Sequence, residues 1–304
     1  MIKLGSRSSK LARWQAEHVQ TELSKKNIEV EIVFMTTEGD QSVASLKEFG
    51  GVGAFTKGIQ QSILNGEIDF AVHSLKDLPT DPVEGLVLAS VPLREDPADV
   101  LICNGFSCTS DLPAGARIGT GSLRRQAQLL YHRPDLKVMD IRGNVDTRLK
   151  KLDAGEFDAL VLAKAGLTRL KLVDRITEEF GLEWMLPAIG QGALGLESRV
   201  DDQPTRMVLD QICDQQSLLE VTAERALLRH LRAGCLAPVG AHGRAQSDGE
   251  LSLDAVVLSQ DGSQRVEIQG QQRMGTDSLQ TAKEMGRRLG QQLIDKGADV
   301  LLRR

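Results

Sequence analysis

Short apolar runs alternate with amphipathic helical stretches twice in succession along this chain, and that alternation leaves few folds open. Strand, helix and strand in that order pack side by side through a crossover, which builds a mostly parallel sheet. In the first series, residues 2–4 read as a short strand. Ser8 or Ser9 can cap the following helix, whose apolar stripe is Ala12, Ala16, Val19 and Leu23. Residues 30–35 are almost continuously apolar, the pattern of a strand covered on both faces. Phe55, Ile59 and Ile63 mark the next helix, Gly66 ends it, and residues 70–72 and 86–91 read as further strands. A second series follows Arg94-Glu95-Asp96-Pro97. Its strands fall at 100–103, 117–119, 137–141 and 159–162, with helices at 122–131 and 145–152.

The last third changes period. Residues 251–258 alternate, Asp261-Gly262 signals a hairpin turn, and residues 266–269 alternate again. A helix with Leu279, Ala282, Leu289 and Leu293 on one side completes a small α+β unit. A chain of 304 residues exceeds one small core. The expected division is one α/β domain from residues 1–93 and 193–212, a second from 97–187, and an α+β domain from 217–304. Residues 187–193 form the crossing segment, and a cleft separates the two α/β domains.

Hydrophobic residues make up 41% and charged residues 26%, the balance of a soluble globular chain. No apolar run approaches the ~20 residues that span a bilayer, so no membrane partner is expected. The first residues carry no long apolar stretch, so the expectation is no secretory signal and a cytoplasmic location. Cys103, Cys108, Cys213 and Cys235 form no CxxC pair, which argues against zinc, any other metal site or a redox dithiol. A net charge of -5 argues against general nucleic-acid binding. Yet Arg7, Lys57, Lys76, Arg124, Arg125, Arg142 and Arg148 recur beside Gly, Ser or Thr near strand ends. Basic loop tips on an acidic body point to a local anion site, although each residue alone also suits a solvated surface.

Four segments carry the chemistry. Residues 119–125 follow a strand and open a helix, where backbone N–H groups and the dipole favour an anion. Thr120 and Ser122 add hydroxyls, and Arg124 and Arg125 add forks that can grip a carboxylate. Arg142, Gly143, Asn144 and Arg148 repeat the arrangement at the next strand end. Two such sites suit a ligand with several carboxylates better than a phosphate, since no Walker-type loop is present. Asp77, in the turn His73-Ser74-Leu75-Lys76-Asp77-Leu78-Pro79, could stabilise a cation or move a proton, although turn formation is the commoner role of such an aspartate. Cys235 lies among small residues in Leu231-Arg232-Ala233-Gly234-Cys235-Leu236-Ala237-Pro238-Val239-Gly240, where an ordinary buried thiol is the simpler reading of the segment alone.

Together, and in this order from Arg7 to Gly240, these segments resemble the hydroxymethylbilane synthase family, also called porphobilinogen deaminase. The resemblance implies two periplasmic-binding-protein-like α/β domains around a cleft plus a small C-terminal α+β domain, in a monomer. It implies a dipyrromethane cofactor, made from two porphobilinogens and joined by a thioether to Cys235. Four further porphobilinogens add head to tail with loss of ammonia, and hydrolysis releases hydroxymethylbilane for haem biosynthesis. Asp77 is then the catalytic carboxylate. Lys76, Asp77, Thr120, Ser122, Arg124, Arg125, Arg142 and Gly143 are implied to hold the cofactor. Arg7, Ser9, Arg142, Arg148, Arg169 and Gln191 are implied to bind substrate.

Three positions depart from the family's usual residues. Val52 follows Gly50-Gly51 where the family has lysine, within a Gly-rich stretch expected to be mobile. Arg232-Ala233-Gly234-Cys235 replaces Glu-Gly-Gly-Cys, and Gly121 replaces a common serine. Two alternatives share the pattern: a two-lobed anion-binding module of the solute-binding-protein type, and a diverged, poorly active synthase.

Overall fold

A computed structural model describes residues 1–35, 56–234 and 237–302. The first series opens with β1 (Ile2–Arg7), α1 (Lys10–Ser24) and β2 (Val30–Met35). The cap of α1 is Ser9, whose side chain accepts from Ala12 N, and Ala12, Ala16, Val19 and Leu23 are all buried. Each fully buried Val or Leu of that stripe contributes about 1.5–3 kcal/mol, and Leu23→Ala would cost about 2–5 kcal/mol. Next come α2 (Lys57–Leu64), β3 (Phe70–Ser74), a single 3-10 turn at Leu75–Asp77 and β4 (Leu86–Ser90). Gly66 follows α2 at φ 73°, as a terminating glycine should.

The second series runs β5 (Asp99–Cys103), β6 (Arg117–Gly119), α3 (Leu123–His132), β7 (Lys137–Met139), α4 (Val145–Asp153), β8 (Ala159–Ala163), α5 (Lys164–Arg169) and β9 (Glu178–Glu179). The chain then returns through β10 (Leu194–Arg199) and α6 (Gln203–Asp210). The final unit is α7 (Gln215–His230), β11 (Val239–Ala245), β12 (Glu250–Leu258), β13 (Arg265–Arg273), α8 (Ser278–Asp295) and α9 (Ala298–Leu302).

The sheet orders are β2-β1-β3-β10-β4, β7-β6-β8-β5-β9 and β11-β12-β13. In each of the first two sheets four strands run the same way, as expected of a mostly parallel sheet, and one strand is reversed. β1 pairs parallel with β2 and β3, but β10 runs antiparallel to both β3 and β4. In the second sheet β6 is parallel to β7 and β8, while β5 is antiparallel to β8 and β9. The reversed strands are those that enter a sheet from the other one: β5 leaves the first sheet's neighbourhood and β10 returns to it. Local hydrophobic period carries no direction, so this could not be read from the apolar runs. β2 is also an edge strand with Phe34 exposed, not a strand covered on both faces. In α8 the buried face is Ala282, Met285, Leu289 and Leu293, while Leu279 is exposed.

The third unit is fixed to both sheets. Glu224 of α7, fully buried, accepts from Arg94 Nη1 at 2.7 Å, Gly190 N at 2.7 Å and Gly243 N at 2.9 Å. One carboxylate thus ties together the β4–β5 connection, the crossing segment and β11. A buried carboxylate is tolerable only with such partners. At the other end, the hairpin tip at Gly262 packs so closely on α3 that a Cβ there would lie 2.6 Å from Ala127 O.

Candidate active site

Three backbone features hold the predicted site residues just past the ends of strands. The Leu75–Asp77 turn continues β3 and leaves Leu75 buried, Lys76 half-buried and Asp77 exposed. Ser122 caps α3, accepting from Arg125 N at 3.4 Å, and Thr120 Oγ1 accepts from Ser122 N at 3.3 Å. Asn144 precedes α4, and Gly143 makes the turn before it at φ 110°, where a Cβ would lie 2.9 Å from Thr147. Glycine is required there both by φ and by space.

Arg124 and Arg125 enter the first turn of α3 but are not exposed forks. They are 2% and 5% exposed and converge on Asp99, which opens β5. Arg124 Nη1 lies 2.7 Å from Asp99 Oδ2, and Arg125 Nη2 lies 2.8 Å from Oδ1. Arg125 also donates to Val161 O, and Arg124 to Leu186 O. Gln191 donates to Asp99 Oδ1 at 2.8 Å and to Pro97 O at 2.6 Å. Burial alone would push the Asp99 carboxyl up, but the two guanidinium groups and Gln191 reverse this and hold it at about 2.

Beyond this sealed cluster lie cations with less compensation. Lys76 has its pKa lowered to about 8, by burial and then by Arg125, against the pull of Asp77 and Asp99. Arg148 is lowered to about 10 by burial, Arg125 and Arg142, with Asp140 and Asp77 opposing. Those couplings place Lys76, Asp77, Arg125, Arg142 and Arg148 in one electrostatic neighbourhood. Arg142 pairs with the exposed Asp140 at 2.8 Å, and Arg148 Nε donates to Gly143 O.

On the α1 side, Ser9 is occupied as a helix cap and Arg7 ends β1. Arg169 is buried, lies over the Trp14 ring at 5.5 Å and donates to Gly192 O; its Nε has no partner among the described residues. Burial lowers its pKa to about 10 despite Glu95. An under-satisfied buried guanidinium suits a site that receives an anion. Lys10 reaches across from α1 to Asp146 of α4 at 2.6 Å.

Cys235, Val52 and the Gly-rich stretch around Val52 lie outside the described residues. Gly121 is described: a Cβ there would sit 3.0 Å from Ile141 O, so the serine usual at this position would crowd that carbonyl. Sequence reasoning missed Asp99 and Glu224. An aspartate opening an otherwise apolar strand was the available signal for Asp99.

The family model described as porphobilinogen deaminase, dipyromethane cofactor binding domain, matches residues 2–207, and that of the porphobilinogen deaminase C-terminal domain matches 218–295. The porphobilinogen deaminase of Chlorobaculum parvum is 46% identical over 99% of this chain and 96% of its own length. That of Chlorobium chlorochromatii is 48% identical over 98% of this chain and 96% of its own length. Among solved structures, a nutrient binding protein from Burkholderia cenocepacia bound to methionine aligns at TM-score 0.46 and 14% identity, over 69% of this chain and 90% of its own. The fold is two five-stranded α/β sheets with a third, three-stranded antiparallel unit. The chain belongs to the porphobilinogen deaminase family.

Proposed function

We propose that this protein is a hydroxymethylbilane synthase. It joins four porphobilinogens head to tail, releases ammonia at each addition, and frees the linear tetrapyrrole by hydrolysis. The observation that carries this reading is the match to the family over nearly all of the chain's length, and the electrostatic influence of Asp77 on both Lys76 and Arg148 supports it. Each substrate ring brings two carboxylates, so a growing chain needs several cations. Loss of ammonia leaves an electron-poor cationic pyrrole, which an adjacent carboxylate stabilises more strongly where water is scarce. Asp77 is the exposed carboxylate positioned for that work and for moving the pyrrole N–H proton.

The residues present fit a dipyrromethane. The N-termini of α3 and α4, the under-satisfied Arg169, and Arg142 and Arg148 offer donors for its carboxylates. When bound, that group supplies the primer to which the first substrate ring is joined. We assign its attachment to Cys235, its contacts to Lys76, Asp77, Thr120, Ser122, Arg142 and Gly143, and substrate contacts to Arg7, Ser9, Arg142, Arg148 and Arg169. We also assign Arg124 and Arg125 to the cofactor and Gln191 to the substrate, with Asp99 holding all three in place. The same reading makes the enzyme a cytoplasmic monomer, with domains at 1–93 with 193–212, 97–187 and 217–304.

Intact-mass measurement is the test. The purified protein should exceed its sequence mass by two porphobilinogen units less the ammonia lost, and Cys235→Ser should remove the increment. Wild-type protein from porphobilinogen-producing cells that shows no added mass and forms no hydroxymethylbilane would rule the reading out.

A further inference from the structure

Trp14 lies off the buried stripe of α1. Ala12, Ala16, Val19 and Leu23 pack toward the first sheet, and Trp14 stands roughly half a turn round the helix from them. A large aromatic on that side would ordinarily face water, yet Trp14 is half-buried. Two side chains cover it. His18, one turn on, stacks on the indole with ring centroids 4.9 Å apart and planes 8° from parallel. Arg169 comes from α5, which packs on the second sheet, and its guanidinium carbon stands 5.5 Å from the indole centroid, within the ~6 Å reach of a cation–π contact. The contact therefore joins the two α/β units. One Nη of Arg169 donates to Gly192 O at 2.6 Å, its Nε has no partner among the described residues, and Glu95 acts on it only through space, without a hydrogen bond. Gly192 belongs to the crossing segment, so both groups that hold this guanidinium lie outside the series that carries it. His18 does not compete as a cation. Burial, helped by Arg169 and Lys25 against Glu22 and Glu95, holds its pKa below the ordinary value, so the imidazole is neutral near pH 7.

We propose that Trp14 is a positioning residue for Arg169: the indole, reaching across from the first α/β unit, holds the guanidinium in the orientation from which its free N–H groups meet a substrate carboxylate. The inference rests on the assignment of Arg169 to substrate. An arginine side chain is long and flexible, and one hydrogen bond to Gly192 O fixes a single nitrogen while leaving the fork free to turn about it. An aromatic face against the fork restricts that turning, and it does so without consuming an N–H group. A carboxylate in the same place would hold the guanidinium more strongly and would also take up its donors, as Asp99 does with Arg124 and Arg125. Arg169 is held instead by neutral groups, a carbonyl and a ring, and so keeps its charge for a ligand.

Two measurements test this, both on protein shown by mass to carry its cofactor. In the first, KM and kcat for porphobilinogen are compared across Trp14→Leu, Trp14→Phe, Arg169→Gln and the Trp14→Leu/Arg169→Gln double variant. Trp14→Leu should raise KM about three- to thirtyfold, the range that cation–π contacts span, and should change kcat far less. Trp14→Phe keeps a ring and should recover most of the loss. Arg169→Gln should raise KM at least about tenfold. Adding Trp14→Leu to it should do nothing more, because the indole acts only through the arginine. In the second, Trp184, the chain's other tryptophan, is replaced by Phe so that emission reports Trp14 alone. The probe is a pyrrole with the acetate and propionate chains of porphobilinogen but no aminomethyl group, which cannot be deaminated. At saturation it should shift Trp14 emission, and it should not do so when Arg169→Gln is added. Trp14 lies off the core stripe, so Trp14→Leu should fold; its melting temperature checks this, and the emission measurement does not depend on it. A wild-type KM in Trp14→Leu, additive effects in the double variant, or an emission shift that persists without Arg169 overturns the inference while the synthase reading stands. An unchanged KM in Arg169→Gln removes Arg169 from substrate binding and this inference with it. Wild-type protein that forms no hydroxymethylbilane defeats the synthase reading beneath both.

Discussion

Two charged clusters lie side by side in this molecule and obey opposite rules. The first, Asp99 with Arg124, Arg125 and Gln191, is sealed from solvent: every member is buried and both guanidinium groups hold the carboxylate, although Arg124 Nε has no hydrogen-bond partner among the described residues. The second, Lys76, Asp77, Arg142 and Arg148, is partly open, with Asp77 exposed and its three cations half-buried, and carries more positive charge than its own acid offsets. Neighbouring arginines in one sequence motif therefore need not share a role. A guanidinium already paired inside the protein stabilises the domain and orients its neighbours. One left short of partners is available to a ligand.

The sharpest way to break this contrast is to remove the open carboxylate. Asp77→Ala should fold normally, since the side chain is exposed and caps nothing. Its turnover should fall about 10²–10⁴-fold, the usual worth of a positioned proton-transfer group. Near-normal kcat in a cofactor-loaded variant would remove Asp77 from the chemistry.

Removing the sealed carboxylate should do the reverse, damaging the fold first. Asp99→Ala leaves two buried guanidinium groups without their counter-charge, which costs about 3–5 kcal/mol. Urea denaturation should show it as a lower midpoint. The pH dependence has a definite sign. The folded pKa of Asp99, about 2, lies below its unfolded value. The pairing therefore stabilises fully above about pH 4 and is lost as pH falls toward 2. Wild type should lose stability across that window more steeply than Asp99→Asn. Equal acid profiles would mean that the cluster is not sealed.

Arg142→Leu and Arg148→Leu probe the open side at smaller scale. Each should fold, and each should lose about 1.5–3 kcal/mol of carboxylate binding where that contact is desolvated, seen as slower cofactor loading or a higher KM. Lys76 adds a pH signature: its pKa of about 8 means that the cation is lost as pH rises through 8. KM should climb above that pH in the wild type, and Lys76→Met should lack the rise. A flat wild-type profile would show that substrate does not use the Lys76 charge.

The contrast itself was only half legible in the sequence. Apolar period located α1, β2, β6 and α4 to within a few residues, because burial of a stripe is a local demand. The Ser122 cap and the Gly143 turn were legible for the same reason. What Asp99 does was not, because its partners lie 25 and 26 residues away and strand β5 reverses direction to meet them. From sequence, Arg124 and Arg125 look like ligand forks beside Arg142 and Arg148; their burial against Asp99 was not legible there. Glu224 was hidden similarly, since its three partners come from three distant segments.

The smallest expected effect belongs to the ion pair that spans the two lobes, and it sharpens the comparison most finely. Lys10 and Asp146 approach to 2.6 Å, as close as the buried pairs, yet their side chains are 78% and 37% exposed. Distance alone would rank this bridge with Asp99–Arg124; environment ranks it far lower. Exposed pairs contribute about 0–1 kcal/mol, because water already solvates both charges and salt screens them within roughly 10 Å. Lys10→Ala should thus leave the denaturation midpoint nearly unchanged. The two residues sit in different α/β domains, so the bridge should bear on how those domains meet rather than on the fold of either. Its loss should speed substrate entry slightly at low ionic strength, and the difference should vanish in molar salt. Asp99→Ala should keep its stability defect in that same salt. If Lys10→Ala instead destabilises the protein by several kcal/mol regardless of salt, exposure is the wrong criterion, and the division between sealed and open charge fails with it.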